Sequence, residues 1–301
     1  MNKKQQRKEN AIEIVRKYLE QNPIKKITEL VPATNPPSLG NVNLSNKQVA
    51  QLPFHPIVVS AMCGTIFGDS SIAIHKGFKN ARLQNRHSTI QTEWFMWKRF
   101  YLFGEFTSDN SVSWHEPDGS QPESGPQIVE DPLYGKLRLS TLVSPKLTAL
   151  YNILCPKGHK EISRFWLNHM NNYFFMALWL DDGSLVGQRQ GVICCNNTPK
   201  AQAQILVDYM RTVWGIGCKV VDCPSRVTKT LSNPVAITID DLDSLEILLR
   251  IIAPIVPVKS MLYKVCLFPM ESSRLQRWTS ELKTLVRKDW HYEIEKLYAE
   301  F

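Results

Sequence analysis

Two acids recur at the ends of two apolar runs. Ile57 to Phe67 leads into Gly68-Asp69-Ser70-Ser71-Ile72, and Tyr173 to Leu180 leads into Asp181-Asp182-Gly183-Ser184-Leu185. Asp69 and Asp182 are each followed by a small residue, a Ser and an aliphatic residue. A lysine trails each acid at comparable distance, Lys160 after Asp69 and Lys264 after Asp182. A helix C-terminus carries partial negative charge and unsatisfied carbonyls, which favours a cation there. Two carboxylates brought together are costly unless a cation or a shared proton compensates. Oxygen donors alone indicate a hard ion such as Mg²⁺, with waters completing its shell. Asp69 and Asp182, with Gly68 and Asp181 beside them, are therefore candidate metal positions. Such a cluster suits phosphodiester hydrolysis, in which the ion orients water and stabilises the leaving oxygen. Lys160 and Lys264 would position that water or neutralise the phosphate. A lone helix-terminal Asp is ordinarily a surface cap. The recurrence of acid and trailing lysine argues for chemistry instead.

The elements that must position these residues form a diverged internal repeat. Each apolar helix is followed by a hairpin, over 72–88 in the first copy and 185–197 in the second. A helix comes next, over 89–103 and 199–214, and then a short strand, over 136–141 and 235–239. Each strand enters a polar turn and an apolar helix, over 144–154 and 241–252. The longer first copy is accounted for by residues 104–132, which hold seven acids and no Lys or Arg and read as a surface loop. The order predicts an α+β fold of two αββαββα halves with antiparallel sheets, related by an approximate two-fold axis. Gly64 and Gly68, with Ala177 and Asp181 in the matching places, allow the first helices of the halves to pack closely as a central pair. Asp69 and Asp182 would then meet at one point. The predicted boundaries are 1–50 for a basic extension and linker, 51–168 and 169–268 for the repeats, and 269–301 for a C-terminal helix.

Composition limits the alternatives. The chain has 301 residues, 43% hydrophobic and 21% charged, which excludes disorder over most of its length. No apolar run reaches the ~18 residues of a membrane span, so no membrane partner is expected. The net charge of +8 suggests a polyanionic partner only weakly, because residues 1–30 carry eight Lys/Arg against four Glu. The seven cysteines form no CxxC pair, which points to a reduced compartment. Cys155 with His159, or Cys218 with Cys223, begins a zinc site that no second half completes. The N-terminus has neither a secretory h-region nor transit-peptide character.

Met62-Cys63-Gly64-Thr65-Ile66-Phe67-Gly68-Asp69 and Met176-Ala177-Leu178-Trp179-Leu180-Asp181-Asp182-Gly183 resemble the two signature helices of single-chain LAGLIDADG homing endonucleases. The stretch from Leu139 through Tyr151-Asn152-Ile153-Leu154 to Gly158-His159-Lys160-Glu161-Ile162 resembles the branch typified by organellar intron-encoded enzymes. The resemblance covers about 55–268. It implies Asp69 and Asp182 as metal-binding acids and Lys160 and Lys264 as the basic residues of two cleavage centres. It also implies a monomeric, Mg²⁺-dependent, site-specific double-strand DNA endonuclease acting in the mitochondrion or, alternatively, the chloroplast. Its target would be long and non-palindromic, because the halves differ throughout. A family Gln near the metal-bound water is replaced here, the matching places being read as His87 and Asn196.

A two-stranded ribbon can enter the major groove and read base edges. Alternation puts Arg82, Gln84 and Arg86 on one strand face and Ala81 and Leu83 on the other. By the resemblance the polar face contacts DNA, together with His87, Arg138, Gln188, Gln190 and Asn196. The alternative is an RNA-binding maturase of the same fold that assists group I intron splicing, with host intron RNA as partner. The intact acid pair favours the nuclease.

Overall fold

The computed structural model describes residues 47–115, 135–187, 190–195, 198–223 and 234–299, with scattered positions before residue 35. The expected basic helix and linker within 1–50 fall mostly outside these residues. The principal elements are α1 (Pro56–Phe67), β1 (Ser70–Ala73), β2 (Arg82–Ser88), α2 (Thr92–Trp97), β3 (Val112–His115), β4 (Lys136–Ser140) and α3 (Pro145–Leu154). The same order then repeats as α4 (Asn172–Asp182), β5 (Gly183–Val186), β6 (Gln190–Cys194), α5 (Lys200–Trp214), β7 (Lys219–Asp222), β8 (Val235–Ile239) and α6 (Leu242–Ile252). Two further helices follow, α7 (Ser272–Leu285) and α8 (His291–Ala299).

Two compact units are present. One contains Met1–Leu30 and Asp69–Thr148, the other Val31–Gly68 and Ala149–Phe301. Each holds one four-stranded antiparallel sheet of the same topology, β1-β2-β4-β3 in the first and β5-β6-β8-β7 in the second. The repeat read from the sequence is thus a repeat of strand order.

In the second unit α1 packs on α4. Both helices are apolar on nearly every side, as a helix surrounded by protein must be. Pro56 opens α1 and the His55 side chain accepts from Ile57 N; Asn171 caps α4 by accepting from Tyr173 N at 3.1 Å. The close approach needs glycine. A Cβ on Gly64 would overlap Phe174 O and stand 2.9 Å from Ala177 Cβ. A Cβ on Gly68 would stand 2.6 Å from Asp181 Cβ. The four small positions singled out in the sequence are the contact itself.

Three local features differ from expectation. The segment read as a loop over 104–132 contains β3, whose Val112 and Trp114 are buried, so their alternation with Ser113 and His115 outweighs the polar surroundings; residues 116–134 lie outside the described part. The helix expected over 89–103 is a 3₁₀ turn at Thr89–Gln91, then α2, then a π-helical turn at Lys98–Leu102. The single C-terminal helix is two helices. Its first, α7, is held on α6 by buried Glu246, which accepts from Arg274 and Arg277 while also pairing with Arg250. Among the described residues no helix is long and apolar enough to cross a membrane.

Candidate active site

The last turn of α4 runs through both acids of the second motif, and they take different roles. Asp181 is buried against Gly68, with Oδ2 accepting from Thr65 Oγ1 at 2.5 Å. Asp182, one residue on and rotated by the helical period, is only half-buried. Lys264 is buried beneath this turn and donates to Leu180 O at 2.6 Å, Asp181 O at 3.2 Å and Trp179 O at 3.4 Å. Trp179 Nε1 returns a bond to Lys264 O at 2.8 Å. At the end of α1, Lys160 donates to Ile66 O at 2.8 Å and lies over the Phe67 ring. Burial lowers the Lys160 pKa, against the opposing pull of the nearby Asp182 carboxylate.

Each trailing lysine therefore sits on the terminal carbonyls of its own repeat's first helix. The cation expected at those carbonyls is, in both cases, the lysine itself. Asp182 is half-buried and could offer a carboxylate oxygen to a metal ion, whereas Asp181 Oδ2 is engaged by Thr65. A carboxylate oxygen suits a hard divalent ion, whereas Gly68 could offer only its backbone carbonyl.

In the first unit the Asp69 side chain is one-third exposed, with Oδ2 3.5 Å from His87 Nδ1. The ring also meets Gln91 Oε1 through Nδ1 at 2.8 Å and hydrogen-bonds Lys98 Nζ through Nε2. Asn85, next along the same strand face, donates to Ser70 Oγ at 2.8 Å. Lys98 was not foreseen. The available signal was a lone lysine inside the aromatic run Trp94-Phe95-Met96-Trp97-Lys98.

On the other face of this sheet stand Arg82, Gln84 and Arg86, with Arg138 directly across from Arg86. Burial, followed by the like charges of Arg86 and Arg82, lowers the Arg138 pKa. Nε of Arg82 and of Arg138 finds no hydrogen-bond partner among the described residues. Such a face suits an anionic ligand.

A family profile described as "LAGLIDADG DNA endonuclease family" matches residues 59–228, more than half of the chain. The chain belongs to the LAGLIDADG DNA endonuclease family. Its fold is similar to that of the homing endonuclease I-WcaI bound to its DNA recognition sequence, at TM-score 0.56 and 17% identity over 77% of this chain and 97% of that one. The I-SmaMI LAGLIDADG homing endonuclease bound to cleaved DNA matches at TM-score 0.36 and 10% identity, over 81% of this chain and 95% of that one. None of the curated protein sequences compared with the chain matches it.

Within this LAGLIDADG chain two expectations about the sheets change. His87 is buried on the face opposite Arg82, Gln84 and Arg86, so it leaves the DNA-facing row. Its counterpart in the second repeat is Cys195, not Asn196. Ser70 pairs with Asn85 and Gly183 with Ile193, so the residue two further along the strand is His87 in one half and Cys195 in the other. Burial, then the nearby Asp182 charge, pushes the Cys195 thiol up to about 12. Adjacent apolar residues in Val192-Ile193-Cys194-Cys195 hid this register. Gln190 is on the second sheet and is hydrogen-bonded to Asp240, itself paired with Lys219. Gln188 and Asn196 lie outside the described residues.

Proposed function

We propose that this LAGLIDADG chain is a monomeric, site-specific double-strand DNA endonuclease with two hydrolytic centres, one served by Asp69 and one by Asp182. The observation that carries the reading is the repeated seating of Lys160 on Ile66 O and Lys264 on Leu180 O, each beside the end of a signature helix. Bound Mg²⁺ supplies Lewis-acid stabilisation and an activated water. Asp69 would hold such an ion in one centre and Asp182 in the other. Lys160 and Lys264 stay fixed by backbone carbonyls and place positive charge where the phosphate enters. Thr65 fixes Asp181, which keeps the last turn of α4 in register with α1.

Arg82, Gln84, Arg86 and Arg138 face the duplex and combine phosphate contacts with base-edge reading. Like I-WcaI, solved bound to its DNA recognition sequence, this chain would bind double-stranded DNA. Its two halves present different polar faces, so the target is long and not palindromic. Intron homing in an organelle completes the proposal.

The test is incubation with a supercoiled plasmid carrying the intron-less allele. Linear product with short 3′ overhangs in Mg²⁺, and none in EDTA, is expected. Tight binding to the host intron RNA without any cleavage would replace this reading with the maturase one.

A further inference from the structure

Lys98 is fully buried in the first unit, its ammonium 4.9 Å from the Trp94 ring centroid and bonded to His87 Nε2. The fold does not require a lysine there. His87 and Cys195 are aligned by strand register, and α2 and α5 begin at the same interval after them, at Thr92 and Lys200. The inward positions Phe95, Lys98 and Arg99 thus correspond to Ala203, Leu206 and Val207, all buried. The second repeat builds the same helix-on-sheet contact with leucine at the Lys98 position. Burying an ammonium is costly where an apolar side chain suffices. The backbone also leaves the α-helix at this residue, since the π-helical turn begins at Lys98. Such turns often accompany functional side chains.

We propose that Lys98 is a positioning residue of the Asp69 centre alone, and that the two centres of this chain are chemically unequal. An ammonium has only donors, so it makes His87 Nε2 the acceptor. The ring proton is then on Nδ1, the atom that faces Asp69 Oδ2 and Gln91 Oε1. Held this way, His87 gives its Nδ1–H to Gln91 Oε1 and keeps that polar edge 3.5 Å from Asp69 Oδ2, which biases the orientation of the carboxylate as an outer partner does for a metal ligand. The second repeat puts the thiol of Cys195 at the corresponding place, a weak donor, with Leu206 behind it. The Asp69 centre therefore depends on a lysine–histidine–carboxylate chain whose lysine and histidine positions are Leu206 and Cys195 in the second repeat.

The inference rests on the nuclease reading for its catalytic consequence and on geometry for the His87 tautomer. Both are tested on the full chain. Nitrogen-15 NMR of the histidine rings, assigned with His87→Gln and recorded without DNA or metal, should show His87 as the Nδ1–H tautomer. In Lys98→Met it should shift towards Nε2–H. Cleavage of a plasmid with each strand separately labelled should show one strand slowed about 10–100-fold in Lys98→Met, with nicked circles accumulating. The other strand should stay within about twofold, Lys98→Arg should recover part of the loss, and Leu206→Met should show no strand bias. His87→Ala should slow the same strand, which covers the case in which Lys98→Met does not fold. Equal slowing of both strands, or a wild-type His87 already protonated on Nε2, overturns the proposal. A wild-type chain that cuts nothing overturns the nuclease reading, while the tautomer measurement still decides the role of Lys98 toward His87.

Discussion

Lys264 Nζ lies 2.6 Å from Leu180 O, beneath the helical turn that carries Asp182. The bond is one of three from the same ammonium to consecutive carbonyls, and Trp179 Nε1 binds the lysine's own carbonyl in return. A buried donor of this kind is structural and electrostatic at once. Lys264→Met should take this donor from Leu180 O and Asp181 O, while Trp179 O keeps its bond from Gly183 N, and cost about 1–3 kcal/mol of stability. Thermal melting should show that loss, and cleavage should fall further than the melting shift explains.

Asp182→Asn keeps the shape of the side chain and removes the charge that, in the proposed mechanism, holds the metal. Cleavage should drop by about 100-fold or more, because activation of water by the ion is much of the chemistry. DNA binding should persist, since it comes mainly from phosphate contacts along the sheets. Asp69→Asn should behave likewise. Two single mutants that cut both strands at the wild-type rate would remove the acids from the mechanism.

Arg86 is the exposed member of the arginine row on β2, across the ladder from Arg138. Arg86→Ala should relax base preference at one target position by about 1–3 kcal/mol. A panel of single-base target variants distinguishes this from a phosphate contact, whose loss would weaken every variant equally and flatten the salt dependence.

Gly64 has no room for a side chain, because a Cβ would overlap Phe174 O. Gly64→Ala should force α1 and α4 apart and cost about 1–3 kcal/mol. Equilibrium unfolding of the variant checks it, and an unchanged midpoint would contradict the packing.

Glu246 is buried, and although burial raises its pKa, the hydrogen bonds from Arg277 and Arg274 outweigh this and leave it lowered. A depressed carboxylate stabilises the fold above its unfolded pKa near 4.5, and that contribution disappears as pH falls through the lower folded value. Attachment of α7 should therefore loosen in acid, below pH 4.5. Hydrogen exchange of α7 should rise there, and Glu246→Gln should show the same rise already at pH 7.

Local sequence carried much of the architecture. The apolar runs 57–67 and 173–180, the strand 235–239 and the helix starting after Asp241 were legible because burial pattern and capping residues act over a few positions. Gly64, Gly68, Ala177 and Asp181 gave the helix contact, since only small residues permit close backbones. The order of elements revealed the repeat, and through it the acids and their lysines. Side-chain partnership was a different matter. His87 follows Arg86 by one residue, so alternation along β2 already turns it to the other face, but the partners it meets there, Gln91 and Lys98, are set by the segment packed on the sheet. The division of labour between Asp181 and Asp182 depends on Thr65 in another helix. The match of His87 with Cys195, and of Lys98 with Leu206, appeared only once hydrogen-bonded ladders aligned the two halves. The sequence by itself determined most of the elements, though not β3 or the split of the C-terminal helix, and offered most of the residues able to do chemistry. Tertiary packing alone decided which of those residues meet, because that choice is made by partners far away along the chain.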